Sequence, residues 1–248
     1  MRMIFLSPHY DDAVFSCGGL IWELIHVGYP VEVWTICAGE PPKGKLSPFA
    51  LQLHQRWGNL EDVVPTRRKE NQEAAAILGF STQQFSVPDC IYRHSENGEY
   101  FYTSEASLFS AIHPGEKLLL DKLALELARR IPPDGQLIAP LGIGNHVDHQ
   151  LTKQAAEINQ KPIWYYADFP YVLKDPGWQE KWLRGYTCAF QRSISDRGLK
   201  VWLEAVLAYH SQISTFWTNE NQLGQDLEKL TRQNEGGILW HRETSTPN

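Results

Sequence analysis

Short apolar, β-branched runs alternate with segments whose apolar residues recur every three to four positions, and this alternation narrows the fold most. Met3–Leu6 (MIFL) and Val31–Cys37 (VEVWTIC) read as strands. Between them Leu20, Ile21, Leu24 and Ile25 recur at helical spacing, so a helix starting near Phe15–Gly18 is expected. The same reading gives a helix over Thr66–Leu78 that stops at Gly79, and a short strand at Phe85–Val87. A helix over Glu116–Ile131 ends at Pro132-Pro133, and a strand follows at Leu137–Ala139. Val147–Ile158 reads as a helix and Ile163–Tyr166 as a strand. Tyr186–Phe190 reads as the last strand, with closing helices at Leu199–Tyr209 and Leu223–Leu230. Ala38–Pro65 is rich in Pro and Gly, with weak periodicity, and reads as a long loop that could serve as a lid. Residues 90–114 are irregular, and the final TSTPN is expected to fray. This order predicts an α/β fold: a Rossmann-like three-layer sandwich around a mostly parallel sheet. At 248 residues, one domain over 1–248 is expected.

Charge and cysteine usage exclude several classes. The net charge is −6, with acids and bases mixed and no basic run, so neither nucleic acid nor an anionic membrane is an expected partner. No stretch reaches the about 18 apolar residues that span a bilayer. The apolar run before SPHYDD is too short for a secretory hydrophobic region, and Cys17, Cys37, Cys90 and Cys188 are scattered with no C-x-x-C. Both features predict a reduced, cytoplasmic protein. Monomer and homo-oligomer are both open.

The stretch SPHYDDAVFSCGG follows the first strand and enters the first helix. In an open α/β sheet, ligands lie beyond the carboxyl ends of the strands. His9 and Asp12 stand three apart there and can converge on one point, while Asp11 points elsewhere. Imidazole nitrogen and carboxylate oxygen both suit Zn²⁺, and a catalytic zinc usually has three protein ligands. After the strand at Leu137–Ala139 comes PLGIGNHVDHQLT, which places His146 and His149 at the mouth of a second helix. Either pair alone is a weak signal. Two pairs at two strand ends of one sheet are a strong one.

Together these motifs resemble the LmbE/PIG-L family of zinc-dependent N-acetylglucosaminyl deacetylases. SPHYDD is similar to the family's His-Pro-Asp-Asp-Glu motif, and NHVDH to its His-x-Asp-His motif. TRRKENQEAAAILGF, VPDC, YYADFPY and AVLAYHSQI are similar to its supporting segments. The resemblance runs from about residue 3 to about residue 240. It implies that His9, Asp12 and His149 bind zinc, that Asp11 is the general base, and that His146 stabilises the oxyanion or protonates the leaving amine. It implies that Asp148 orients a histidine ring. It also implies that Arg67 or Arg68 holds a polar part of the substrate, and Asp89 belongs to the same surroundings. Tyr10 stands where the family usually has Pro, which predicts a narrowed cleft or a substrate contact, and Ala13 stands where it has Glu. The implied substrate is a small glycoconjugate bearing an N-acetylated amino sugar. A His₂Asp site also accepts Fe²⁺. One or two of the nine tryptophans are expected to stack on sugar rings or line a cleft, and the loops at 38–65 and 89–115 are expected to build the pocket, with their tryptophan and tyrosines against sugar rings.

The same residues are open to other classes. A metal-dependent amidase acting on a non-sugar amide shares every motif. A cysteine hydrolase would use Cys17, and a binding protein would carry the cluster without turnover. There is no G-x-G-x-x-G or phosphate-binding lysine loop, and no G-x-S-x-G or H-E-x-x-H.

Overall fold

The structure, a computed structural model, describes residues 1–58, 62–159, 161–233 and 235–243; the TSTPN terminus lies outside them. Seven strands form one sheet: β1 (Arg2–Ser7), β2 (Val31–Thr35), β3 (Ser81–Gln84), β4 (Gly135–Pro140), β5 (Ile163–Tyr166), β6 (Tyr186–Gln191) and β7 (Ile238–Arg242), in the order β3-β2-β1-β4-β5-β7-β6. The first five are parallel, and β7 pairs antiparallel with both β5 and β6. Ten α-helices are described: α1 (Asp12–His26), α2 (Pro48–Arg56), α3 (Val63–Leu78), α4 (Glu105–Leu108), α5 (Lys117–Arg130), α6 (Val147–Ile158), α7 (Trp178–Trp182), α8 (Asp196–Leu207), α9 (His210–Phe216) and α10 (Glu220–Arg232). Among the described residues no helix is long and apolar enough to cross a membrane. The chain runs outward from β1 through β2 to β3, then returns to the other side of β1 at β4. Strand order therefore reverses between β1 and β4, the place where such sheets bind ligands.

The expected mostly parallel α/β sheet is present, with local corrections. The third strand is Ser81–Gln84, not Phe85–Val87. Its residues STQQ lie at the sheet edge, half-buried or exposed, so no apolar alternation marks them. The loop expected over Ala38–Pro65 contains α2, which is capped by Ser47 Oγ accepting from Ala50 N at 3.0 Å. It packs Phe49, Ala50 and Leu53 into a small apolar cluster with Ile91, Tyr92, Tyr102, Leu108 and Val147. This cluster holds the two long loops over the sheet's carboxyl edge.

The first helix starts at Asp12, before the expected Phe15–Gly18, and runs through Gly18 and Gly19 without a break. The cause is packing. The ring of Trp202, fully buried on α8, lies where a Gly18 side chain would be: a Cβ there would sit 2.3 Å from Trp202 Cδ1. Trp202 Nε1 donates to Val14 O at 2.7 Å across the same contact. Gly18→Ala should destabilise the protein by about 1–3 kcal/mol through overpacking. That would appear as a lower urea midpoint at unchanged m-value. An unchanged midpoint would show that Trp202 moves aside freely.

Candidate active site

His9 leaves the carboxyl end of β1. His146 caps α6 just past β4, the strand paired with β1. The two sequence motifs therefore meet. The LGIGN turn that delivers His146 has Gly144 at φ +91° and Asn145 at φ +63°, and Gly144 leaves room for the ring of Tyr171.

Each of two histidines is tied to a carboxylate by one ring nitrogen and turns the other towards Asp12. His9 Nε2 is 2.9 Å from Asp148 Oδ2, and His9 Nδ1 is 3.1 Å from Asp12 Oδ2. His149 Nδ1 is 2.6 Å from Asp168 Oδ1, and His149 Nε2 is 3.3 Å from Asp12 Oδ1. The outer carboxylates are themselves fixed. Asp168 Oδ2 accepts from Gly142 N at 2.8 Å and Ile143 N at 2.9 Å. Asp148 accepts from Cys90 N at 3.1 Å and forms an ion pair with buried Arg93 at 2.6 Å, whose Nε is in turn 2.5 Å from Glu116. With N–H groups given to Asp148 and Asp168, His9 Nδ1 and His149 Nε2 present lone pairs to a carboxylate. Such an arrangement is stable only around a proton or a cation.

The electrostatics agree. Burial opposes charge on His9 and His149, yet Asp12 and the outer carboxylates outweigh it. His9 is held well above the usual imidazole range, and His149 is pushed up to about 10. Burial likewise works against Asp12, but His149 and His9 bring its carboxyl well below the ordinary value. His149 Nε2 is buried without a hydrogen-bond partner. A divalent cation fits this orphaned nitrogen and the chemistry of the donor set. Donor atoms of His9, His146 and His149 lie within 4.8 Å of one another, as do those of His9–Asp89–Asp148 and Cys90–His146–Asp148. The latter two sets both need Asp148, whose oxygens already face Arg93, His9 and Cys90 N.

The remaining expected residues fall into two groups. Asp11, Arg67, Asp89 and His146 line a cavity of about 190 Å³ together with His9 and Asp12. Asp11 is buried and its Oδ1 accepts from Arg67 Nη2 at 2.8 Å. Burial raises its carboxyl pKa, and Arg67 only partly offsets this. Asp89 is 3.6 Å from His9 Nε2. His146 Nδ1 accepts from Asp148 N at 3.3 Å, leaving Nε2 as its N–H; burial, then His9, push its pKa down to about 3. Tyr10 and Arg68 are corrections, for neither lines the cavity. Tyr10 is 2% exposed because its ring enters the core. The half-buried Arg68 guanidinium is engaged by Glu40 at 2.7 Å, Gln84 at 3.1 Å and the Tyr10 hydroxyl.

YYADFPY contains Asp168 and AVLAYHSQI the start of α9, but neither is given a role in the site by sequence, nor is Arg93. Asp168 had a signal, since it follows β5 as His9 follows β1. Arg93 sits in an irregular segment without one. From α9, Gln212, Thr215 and Phe216 reach the cavity, and Ser211 anchors the helix by donating from N and Oγ to Glu70 of α3 at 2.7 and 2.8 Å. Cys17 is buried, lies outside the lining, and burial holds its thiol well above the ordinary range, which disfavours a thiolate nucleophile. Asp168→Asn should weaken zinc binding about 10–100-fold, measured by competition with a chromophoric chelator. Unchanged affinity would remove Asp168 from the site.

A family model described as PIG-L, GlcNAc-PI de-N-acetylase, matches residues 4–158. The chain belongs to the PIG-L family. It is 30% identical to a 2'-N-acetylparomamine deacetylase of Niallia circulans, over 98% of this chain and 91% of that protein. Among solved structures, it resembles a deacetylase of the teicoplanin biosynthesis pathway (TM-score 0.83, 27% identity, 99% of this chain and 100% of that one). A zinc-inhibited form of teicoplanin deacetylase is similar to the same extent (TM-score 0.81, 26% identity, 99% and 100%). This PIG-L protein is a deacetylase, a hydrolase of amide bonds.

Proposed function

We propose that the protein removes the acetyl group from the amide nitrogen of an N-acetylated amino sugar in a glycoconjugate, using a divalent metal, zinc in the first instance. The observation that carries this reading is the pair of histidine nitrogens, His9 Nδ1 and His149 Nε2, aimed at the two oxygens of Asp12, a residue that lines the cavity. His9, Asp12 and His149 would hold the metal. When bound, a divalent cation polarises the amide carbonyl and makes water acidic enough to attack it near neutral pH. The chain's own groups do the rest. Asp11, its carboxyl raised by burial, accepts a proton from the attacking water and returns it to the leaving amine. Arg67 holds Asp11 in place. His146, with Nδ1 occupied by Asp148 N, presents its Nε2 hydrogen to the oxygen that gains charge. Water adds to the carbonyl carbon, the C–N bond breaks, and acetate and a free amine leave.

The test is acetate release from N-acetylglucosamine conjugates by chelator-stripped protein with and without added zinc. Release that requires the metal supports the reading. Release that persists without metal, or hydrolysis confined to non-sugar amides, contradicts it.

A further inference from the structure

A second cavity, of about 470 Å³, adjoins the first and shares Phe109, Tyr171 and Lys174 with it. Tyr171 forms the partition. Its ring meets His149 edge-on at 5.5 Å and Phe109 at 6.2 Å, and it packs against Gly144 so closely that a Cβ there would lie 2.6 Å away. Beyond this partition the walls include Asn145 and Trp182. The Trp182 indole is fixed, because its Nε1 donates to Asp175 Oδ2 at 3.0 Å, the oxygen that also holds Lys181. Lys174 and Asn145 are exposed, and among the described residues neither side chain has a polar partner. Other walls of the first cavity differ. There Arg56 and Glu105 face each other at 3.7 Å across the gap from α2 to α4, and Trp57 lies 5.7 Å from the Arg67 guanidinium. Free hydrogen-bonding groups beside an oriented aromatic ring therefore lie on the α7 side. An aromatic surface with a few placed polar groups is what a sugar ring needs, since it has apolar C–H faces and a rim of hydroxyls.

We propose that this second cavity is the subsite for the sugar ring adjoining the acetylated one. The substrate is then a disaccharide or larger glycoside, whose second ring lies against Trp182 with hydroxyls on Lys174 and Asn145. The proposal rests on the amino-sugar reading of the catalytic cavity.

The test is calorimetric binding to the zinc-loaded protein of two products that cannot turn over, glucosamine and its dimer. The dimer should bind about tenfold tighter. Trp182→Ala and, because Trp182 also packs on the core, the exposed Lys174→Ala should each bring the ratio towards one. Equal affinities in the wild type overturn the subsite. A ratio kept in both variants but lost in Trp57→Ala overturns it too, by placing the second ring towards α2. Dimer preference that depends on Trp182, without any acetate release from acetylated sugars, supports the subsite and overturns the catalytic reading. If neither product binds, the amino-sugar reading falls and the subsite with it.

Discussion

Asp11→Asn should leave about one metal per chain and slow acetate release by about 10²–10⁴, the usual contribution of a general base. The asparagine is isosteric, and its carbonyl oxygen can still accept from Arg67 Nη2, so the buried contact that links α1 to α3 persists. The variant loses the capacity to take a proton and the negative charge opposite the buried Arg67 guanidinium, while the hydrogen bond stays. Asp11 lines the cavity but, among the described residues, makes no contact with His9 Nδ1 or His149 Nε2, in contrast to Asp12, which touches both. Turnover and metal content therefore separate in this variant. Full activity would remove Asp11 as proton acceptor, and loss of the metal would make it a ligand.

His149→Ala should lose the metal and turnover together, with activity down by at least about 10³, because carbonyl polarisation and activated water vanish at once. The fold should survive. Asp168 keeps its two bonds from Gly142 N and Ile143 N, and α6 keeps its cap from His146. Metal analysis beside thermal melting checks this. A folded variant that still binds stoichiometric zinc would show that His9, Asp12 and His146 suffice.

His9, Asp11, Asp12, His146 and His149 can be read from the sequence because each pair follows an apolar strand, and strand ends converge in a parallel sheet. Asp168 obeys the same rule after β5 but stands alone, without a histidine beside it to draw notice. The Arg93–Asp148–Glu116 chain of charges has no local signature, since its members are far apart in sequence and meet only through tertiary packing. Tyr10 shows the reverse problem. Its place in a catalytic motif suggests a cleft contact, yet the bend after β1 puts it in the core cluster, 2% exposed. In the fold, the polar edge strand β3 and the five-residue β7 escape periodicity. Gly18 and Gly19 look like breakers until Trp202, nearly two hundred residues later, fills the space they leave.

X-ray absorption at the zinc edge of stoichiometrically loaded protein tests the metal centre most directly. The predicted spectrum shows nitrogen and oxygen neighbours only, with the multiple scattering of two imidazoles and no sulfur at about 2.3 Å. A sulfur neighbour would move the metal to Cys90, His146 and Asp148, and a third imidazole would make His146 a ligand; either would contradict a site built from His9, Asp12 and His149.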